Sequence, residues 1–159
     1  MPLVNKEAAA LLDEGVLIVV SACLAGYHCR YDGGDKMVTR LAEKVKRGEA
    51  VPLCPEQLGG LPTPRSPARI RGGDGLDVLV GRAKVVDAHE REVTRQFLRG
   101  AGEMLNVARD LGAAGAVLCE GSPSCGVKYI KGNGELIEGM GVCTAMLRSE
   151  GIETAGYIT

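Results

Sequence analysis

Aromatic residues are scarce in this chain of 159 residues, which has no tryptophan, one phenylalanine and four tyrosines. Proteins that bind single-stranded nucleic acid without sequence preference usually stack the bases on several aromatic rings. The formal net charge is −1, so there is also no excess of positive charge to hold a phosphate backbone or an anionic membrane. Both deficits argue against a general nucleic-acid-binding or membrane-surface protein.

The sequence also lacks a hydrophobic run long enough to span a membrane. The longest apolar stretch near the N-terminus covers residues 16–22, and no signal-peptide arrangement precedes it. We therefore expect a cytoplasmic protein with no membrane partner. Thiols stay reduced in that compartment. The six cysteines are then expected to be buried small hydrophobes, nucleophiles or metal ligands, at positions 23, 29, 54, 119, 125 and 143.

Hydrophobic patterning predicts strands and helices that alternate along the chain. Strands are predicted at residues 16–20, 50–53, 116–119 and 153–158. Helices are predicted at residues 5–14, 36–47, 87–111 and 140–149, with Asp87 and Glu90 as the capping pair of the third. This alternation predicts an α/β fold, a layered Rossmann-like domain with a mostly parallel sheet and helices on both faces. At this length we expect residues 1–159 to form a single domain.

The connections between these elements are rich in glycine, which has 23 copies and no period. Residues 57–75 are predicted to form a long loop, and loops of that length in a compact domain are usually functional or mobile. GGDG at residues 72–75 is predicted to turn a hairpin whose second arm covers residues 78–86. A second hairpin is predicted at the Gly-Asn-Gly of residues 132–134.

Three cysteines occupy equivalent positions in this predicted fold. Cys23 follows the first strand, Cys54 follows the second, and Cys125 lies in the loop after the strand at 116–119. Loops after the carboxyl ends of parallel strands line the ligand crevice of open α/β sheets, so these thiols are expected to converge. We interpret Cys119 and Cys143, which fall inside a predicted strand and helix, as buried core residues.

Three converging thiolates suit either a zinc ion or an iron–sulfur cluster. With three protein ligands a metal site keeps one position open for water or substrate, and a fourth ligand closes it. Cys29 is the candidate for that fourth ligand. No two cysteines form a CxxC pair, so spacing alone does not choose among these sites.

Four segments of the chain, in order, read SACLAGYHCRYDGGDK, CPEQLGGLPTPRSPA, GSPSCG and GVCTAMLRSEGI. Together they resemble the thiouracil desulfurase family, a small bacterial family formerly known as a domain of unknown function. In that family three cysteines hold a [4Fe–4S] cluster whose fourth iron is free to take the sulfur of a thiolated base. The matching cysteines here are Cys23, Cys54 and Cys125. The resemblance implies non-redox desulfuration of thiolated pyrimidines of the thiouracil or thiouridine type, which releases a uracil-type product and hydrosulfide.

This chemistry needs a water molecule that is positioned and deprotonated, because coordination to iron only polarises the C–S bond of the thione. Glu56, two residues after Cys54, is the predicted general acid or base. Ser122 and Ser124 beside Cys125 are predicted to bind the substrate or relay a proton. Each has an alternative role, since Glu56 is also suited to pair with a loop arginine and the serines to satisfy turn backbone groups.

Residues of the first matching segment are predicted to contact the substrate. The predicted role is to contact the base or to order the cluster loop, and it is given to Arg30, Tyr31 and Asp32. The alternative for Arg30 and Asp32 is a surface salt bridge, and the alternative for Tyr31 is a half-buried structural position. Arg65 and Arg69 suit the phosphate of a nucleotide substrate, or simply solvent. The expected partner is a small thiolated base or nucleoside. The charge balance makes nucleic acid an unfavourable partner without excluding a thiolated transfer RNA.

Two other functions remain open at the level of sequence. A zinc hydrolase with three cysteines could act on a nucleobase as some deaminases do, although the HxE and CxxC signature of those enzymes is absent. The cysteines could also hold a cluster in a sensor or binding module that is not an enzyme. Coordination by Cys29 favours the sensor, because no iron would then be open.

Overall fold

The structure is a computed structural model that describes residues 6–132 and 134–158. Its strands are β1 (Ile18–Ser21), β2 (Ala50–Leu53), β3 (Ala68–Arg71), β4 (Lys84–Asp87), β5 (Gly115–Cys119), β6 (Tyr129–Gly132), β7 (Glu135–Glu138) and β8 (Glu153–Tyr157). Its α-helices are α1 (Thr39–Lys46), α2 (Pro55–Leu58), α3 (Gly75–Leu79), α4 (Thr94–Leu111) and α5 (Val142–Ser149). Two 3₁₀ helices cover Lys6–Leu12 and Ala22–Ala25.

Four parallel strands form the central sheet in the order β2-β1-β5-β8. The branched residues Ile18, Val19 and Val20 of β1 are completely buried, as expected for a strand that is covered on both faces. The other strands form two antiparallel pairs, β3 with β4 and β6 with β7. The predicted α/β class with a mostly parallel sheet is confirmed.

The helices lie on both faces of the sheet because successive connections between its strands run toward opposite edges. The connection from β1 to β2 runs one way, and the connection from β2 to β5 returns past β1, so right-handed crossovers put their helices on opposite faces. On the α1 side, the buried Lys44 ammonium donates hydrogen bonds to the carbonyls of Asp13 (2.8 Å) and Val16 (2.7 Å). On the other side, α4 packs against both α2 and α5. Within the described ranges, no helix is long and apolar enough to cross a bilayer.

The predicted start of the long helix at residue 87 is wrong. Asp87 ends β4, and its carboxylate accepts the backbone N–H groups of His89 (2.8 Å) and Arg91 (3.0 Å), which folds the segment into a turn. Glu90 has a φ of 62°, which a right-handed helix does not accommodate. The helix therefore begins only at Thr94.

The prediction for the GGDG turn is wrong in part. β3 and β4 do pair in an antiparallel register, with Ala68 opposite Asp87. Asp74, however, opens α3 through a capping box with Asp77, so the predicted second arm at residues 78–86 begins as a helix and becomes a strand only at Lys84.

The remaining boundaries shift by a few residues. The predicted helix at 36–47 starts at Thr39, and the predicted helix at 5–14 is a 3₁₀ helix from Lys6 to Leu12, with residue 5 outside the described residues. The predicted Gly-Asn-Gly hairpin corresponds to β6 and β7, and Asn133 also lies outside the described residues. One cluster of buried apolar residues joins the sheet to α4 and α5. The single domain over residues 1–159 stays a prediction.

Two glycines allow α2 to lie directly on α4. A Cβ atom on Gly100 would be 1.7 Å from the carbonyl oxygen of Pro55, and one on Gly59 would be 1.9 Å from the carbonyl oxygen of Gln96. The contact is backbone against backbone, so it cannot relax through a side-chain rotation. This contact sets the position of α2 and of Glu56, which α2 carries.

Gly100→Ala is expected to lower the free energy of unfolding by about 1–3 kcal/mol, the usual cost of overpacking a close contact. The matched control is Gly102→Ala on the same helix, where the new Cβ would meet only the Met146 sulfur at 4.0 Å. That control should gain about 1 kcal/mol from the helix propensity of alanine. Denaturant unfolding of both variants checks this, and equal stabilities would contradict the proposed contact.

Candidate functional site

A crevice beside β1 is expected where the connections between the parallel strands run in opposite directions across the sheet. The chain leaves β1 in one direction to form β2 and returns on the other side to form β5, so the switch point lies between β1 and β5. The ladder between these two strands ends at the pair Val20–Val117, and the N–H of Cys119 then donates to the Ser21 hydroxyl at 3.0 Å. A pocket of about 350 Å³ opens at these strand ends.

Five cysteines are among the described residues that line this pocket. Cys23 lies in the 3₁₀ helix that follows β1, Cys54 lies between β2 and α2, and Cys125 lies in the loop after β5. Two further thiols, those of Cys29 and Cys119, line the same pocket. The structure thus brings the three predicted ligands together and adds two cysteines to them.

The interpretation of Cys119 as a buried core residue agrees with the structure, which also places it at the pocket. Its side chain shares a hydrogen bond with the Cys23 thiol. Its position at the carboxyl end of β5 is the sequence signal that could have identified it. For Cys143 the interpretation agrees with the structure, because its sulfur is fully buried 3.5 Å from the Met104 sulfur.

Four of the thiols form a row in which each neighbouring pair interacts, in the order Cys119, Cys23, Cys29 and Cys54. Hydrogen bonds from Cys23 and Cys54 lower the pKa of Cys29, and a hydrogen bond from Cys23 lowers the pKa of Cys119. The same hydrogen bonds, together with burial, raise the pKa of Cys23 and Cys54. Burial raises the pKa of Cys125 to about 12. Thiolates are the metal-binding form of cysteine, so a cation entering this row would displace shared protons.

Positive charges beside the row favour anionic sulfur. Arg30 and Lys36 line the pocket and add to the lowering of the Cys119 pKa by Cys23. Arg65 adds in the same way to the lowering of the pKa of Cys29. These cations would offset part of the negative charge that a set of thiolate ligands brings to a metal.

A row of thiols differs from the ligand set of a single ion. Among residues 6–132 and 134–158, no three His, Cys, Asp or Glu side chains are gathered closely enough to hold one metal ion. A zinc ion needs its ligands around one point, whereas an iron–sulfur cluster distributes cysteine ligands over several iron atoms. The all-sulfur donor set fits an iron–sulfur cluster, whose usual protein ligands are cysteine thiolates.

The loop that carries Cys125 is fixed against the N-terminus of α5. The carbonyl oxygens of Pro123 and Ser124 accept the N–H groups of Val142 (2.9 Å) and Cys143 (2.8 Å). These are free donors of the first helical turn, so the loop caps the helix while the helix orders the loop. Cys125 is held on a rigid support as a result.

A buried carboxylate closes the other end of this loop. Glu120 accepts the backbone N–H groups of Val127 (2.8 Å), Lys128 (3.1 Å) and Tyr129 (3.0 Å). No role for Glu120 was predicted from the sequence, although an acidic residue directly after a buried strand is an unusual feature. Glu120 holds the chain that returns from the Cys125 loop to β6.

Glu56 has a different hydrogen-bond partner at each carboxylate oxygen, one of them a loop arginine as the alternative prediction had it. Its Oε1 accepts a hydrogen bond from Arg65 Nε at 2.9 Å, and its Oε2 accepts one from the Ser124 hydroxyl at 3.0 Å. The Ser124 hydroxyl lies 3.0 Å from that of Ser122 and 3.7 Å from the Cys125 sulfur. A continuous polar chain therefore runs along the pocket wall next to the thiols.

Ser122 also serves the turn. Its hydroxyl oxygen accepts the backbone N–H groups of Ser124 and Cys125, each at 3.1 Å. This is the alternative role considered for the serines, and it fixes the orientation of the Ser122 side chain. The hydroxyl of Ser124 is the one that reaches the carboxylate of Glu56.

Of the three predicted substrate contacts, two line the pocket and one does not. Arg30 and Tyr31 line the pocket, with Arg30 Nη1 4.0 Å from the Cys119 sulfur and its guanidinium 5.7 Å from the Tyr31 ring centroid. Asp32 is exposed and is not among the described residues that line the pocket. Its carboxylate accepts the N–H of Gly34 at 2.9 Å, so it orders the turn behind Tyr31.

Of the two arginines predicted to suit a substrate phosphate, Arg65 lines the pocket and Arg69 does not. Arg69 on β3 forms an ion pair with Glu90 at 2.9 Å, away from the pocket. Arg65 lines the pocket, but its side chain is almost fully buried and bonded to Glu56.

Comparison with known proteins agrees with this site. The sequence profile of the 2-thiouracil desulfurase family matches residues 18–156. The chain is 43% identical over 138 residues to the uncharacterized protein YbbK of Bacillus subtilis (strain 168), which covers 85% of this chain and 91% of YbbK. It also superimposes on a solved structure of the [4Fe-4S]-dependent thiouracil desulfidase TudS with a TM-score of 0.77 and 40% identity, over 89% of this chain and 90% of that one.

The family match spans all of the cysteines in the pocket, and the structural match spans most of the fold that positions them. The resemblance inferred from the four sequence segments is thereby confirmed. This chain belongs to the 2-thiouracil desulfurase family.

Proposed function

We propose that this protein is a [4Fe–4S]-dependent enzyme that removes sulfur from a thiolated pyrimidine without net oxidation or reduction. Cys23, Cys54 and Cys125 hold the cluster, and the substrate is a small thiolated base or nucleoside. The observation that carries the proposal is the convergence of these three thiols beside the hydrogen-bonded pair Glu56–Ser124. The likeness to a thiouracil desulfidase at 40% identity supports it.

The reaction replaces a C=S group by C=O, so water and the thiolated base give the oxygenated base and hydrogen sulfide or its anion. When bound, the cluster supplies an iron atom without a protein ligand, which acts as a Lewis acid for the soft thione sulfur. The protein must then hold the base, position the water and take its proton. Electrons balance without a reductant.

Glu56 is the proposed general base. Its Oε2 lies at the pocket wall in a hydrogen bond with Ser124, while Arg65 holds its Oε1. A proton taken from water at Oε2 can pass through the Ser124 hydroxyl to the sulfur that leaves the base. Ser122 keeps the Ser124 hydroxyl in place through the 3.0 Å contact between their oxygens.

Arg30 and Tyr31 are the proposed substrate contacts. The Tyr31 ring and the Arg30 guanidinium lie against each other at the pocket, which offers a planar surface for a pyrimidine and a donor for its carbonyl oxygen. Asp32 contributes indirectly, by ordering the turn through Gly34. A cytoplasmic location fits this site, because its free thiols and oxygen-sensitive cofactor need reducing surroundings.

A second candidate function is a cluster-binding module that is not an enzyme. The observation that favours it is the position of Cys29, whose thiol interacts by hydrogen bonding with the thiols of both Cys23 and Cys54. A cluster that also takes Cys29 as a ligand would have no open iron. The variants described below separate the two candidates.

Protein that is purified without oxygen and reconstituted with iron and sulfide is expected to release sulfide from 2-thiouracil, 4-thiouracil or thiouridine. The reason is that the open iron and the Glu56–Ser124 pair act together only in the loaded protein. Sulfide release and uracil formation are measured, with the metal-free protein as the control. Thiolated transfer RNA is assayed in parallel. A cluster-loaded sample that acts on none of the small substrates would contradict the proposal.

Serine substitution of Cys23, Cys54 or Cys125 is expected to abolish cluster binding, measured as iron and sulfide content and visible absorbance. Cys143→Ala is the matched control, because this buried thiol lies outside the pocket, and it should retain the cluster. Cys29→Ser should also keep both cluster and turnover. Loss of the cluster in Cys29→Ser would instead favour the non-enzymatic module.

Glu56→Gln is expected to lower kcat by about 10²–10⁴-fold, the range for loss of a general base, with the cluster retained. Glutamine keeps the size of the side chain and a hydrogen bond to Arg65 but takes no proton. Ser124→Ala should lower kcat in the same direction. Steady-state kinetics on samples of equal iron content check both, and a Glu56→Gln enzyme with unchanged kcat would remove Glu56 from the mechanism.

A further inference from the structure

Arg65 is a buried arginine whose fork is fully engaged at the pocket wall. Its side chain is 6% exposed. Nε donates to Glu56 Oε1 at 2.9 Å, and Nη2 donates to the carbonyl oxygen of Cys29 at 2.9 Å. Nη1 donates to the Thr63 hydroxyl at 2.9 Å and to the carbonyl oxygen of Pro62 at 3.2 Å. Every nitrogen of the guanidinium has a defined acceptor.

These bonds join three separate segments of the chain. Glu56 belongs to α2, Cys29 to the irregular segment at residues 26–38, and Arg65 itself to the segment between α2 and β3. The backbone N–H of Arg65 also donates to the carbonyl oxygen of Tyr31 at 2.8 Å. The carbonyl oxygen that accepts Nη2 also accepts the Cys54 thiol at 3.7 Å. Arg65 therefore lies where the carboxylate, the thiol row and the substrate-side loop meet.

The planar guanidinium constrains Glu56 in a way that a simple positive charge does not. Its donors point in fixed directions, so holding Oε1 while binding Cys29 sets the rotation of the carboxylate. Oε2 is left free of arginine and meets the Ser124 hydroxyl at 3.0 Å. Without the fork, Glu56 regains side-chain rotamers that do not face Ser124.

We propose that Arg65 is the positioning residue of the reaction, which holds the Glu56 carboxylate so that Oε2 faces Ser124 and the reacting water. The inference rests on the function proposed above. In this proposal Arg65 acts through Glu56, although its Nη2 also lies 3.9 Å from the sulfur of Cys54, which makes iron content a necessary control. Its effect is on kcat, because misplacing a catalytic group by about 1 Å costs on the order of 10²-fold in rate.

A double-mutant cycle tests the proposal with cluster-loaded wild type, Arg65→Gln, Glu56→Gln and the double variant. Arg65→Gln alone is expected to lower kcat by about 10²-fold and to change KM by less than about 3-fold. Added to Glu56→Gln, it should lower kcat by less than about 2-fold, because the group it positions is already disabled. The same large loss in both backgrounds would overturn the proposal, since Arg65 would then act independently of Glu56.

The control is Arg109→Gln, which removes an arginine–glutamate ion pair (2.7 Å to Glu150) on the surface far from the pocket. It should leave kcat, KM and iron content unchanged. Arg65→Gln should also keep its iron content. A variant that binds no cluster would overturn the proposal, because Arg65 would then serve cluster retention and not the carboxylate.

A readout without turnover comes from anaerobic crystal structures of the wild type and Arg65→Lys, which keeps the charge but loses the fork. Loss of the 3.0 Å contact between Glu56 Oε2 and Ser124 in the lysine variant supports the proposal. An unchanged contact overturns it, and this holds even if Arg65→Gln does not fold. If loaded wild type releases no sulfide, the proposed function fails, while the structures still judge the role of Arg65 toward Glu56. If the wild type is active but Arg65→Gln lowers kcat equally with and without Glu56→Gln, only the positioning role is rejected.

Discussion

Parallel pairing of β1 with both β2 and β5 puts the carboxyl ends of three strands side by side, and the chemistry of the pocket depends on this arrangement. The thiols of Cys23, Cys54 and Cys125 are separated by up to 102 positions in the chain, yet each follows one of these strands within a short connection. Because β1 lies at the switch point, the connections diverge there and leave room for a ligand. The three thiols, Glu56, and Arg30 and Tyr31 all line the pocket at this edge.

Backbone contacts give the pocket wall its rigidity. Gly100 lets α2 approach α4 without an intervening side chain, which fixes the helix that carries Glu56. The loop of Cys125 gains its order from capping α5. Arg65 then ties the two loop regions to the carboxylate. A site that must hold a bulky cofactor and still align a proton acceptor with a small base benefits from such supports, since loops alone define catalytic geometry less well than helices and strands.

The sheet and the convergence of Cys23, Cys54 and Cys125 at one pocket could be predicted from the sequence, because both follow from local signals. A continuous branched run marks β1, and a cysteine directly after a buried strand lies at the crevice. Cys119 is buried as predicted, but its place at the pocket was not predicted, because the last residue of a buried strand has the same pattern as any core residue. The link between Arg65 and Cys29 was not predictable, since it depends on the paths of two irregular segments. Asp87 was misread because its side chain caps a turn in place of a helix.

An anaerobic crystal structure of the iron-loaded protein tests the central claim most directly, because it counts the protein ligands of each iron. We expect a four-iron cluster bound by Cys23, Cys54 and Cys125, with the remaining iron facing Glu56 and free of any side chain. A cluster in which Cys29 or Cys119 occupies that last iron would contradict this claim. A protein that takes up no iron under these conditions would contradict it as well.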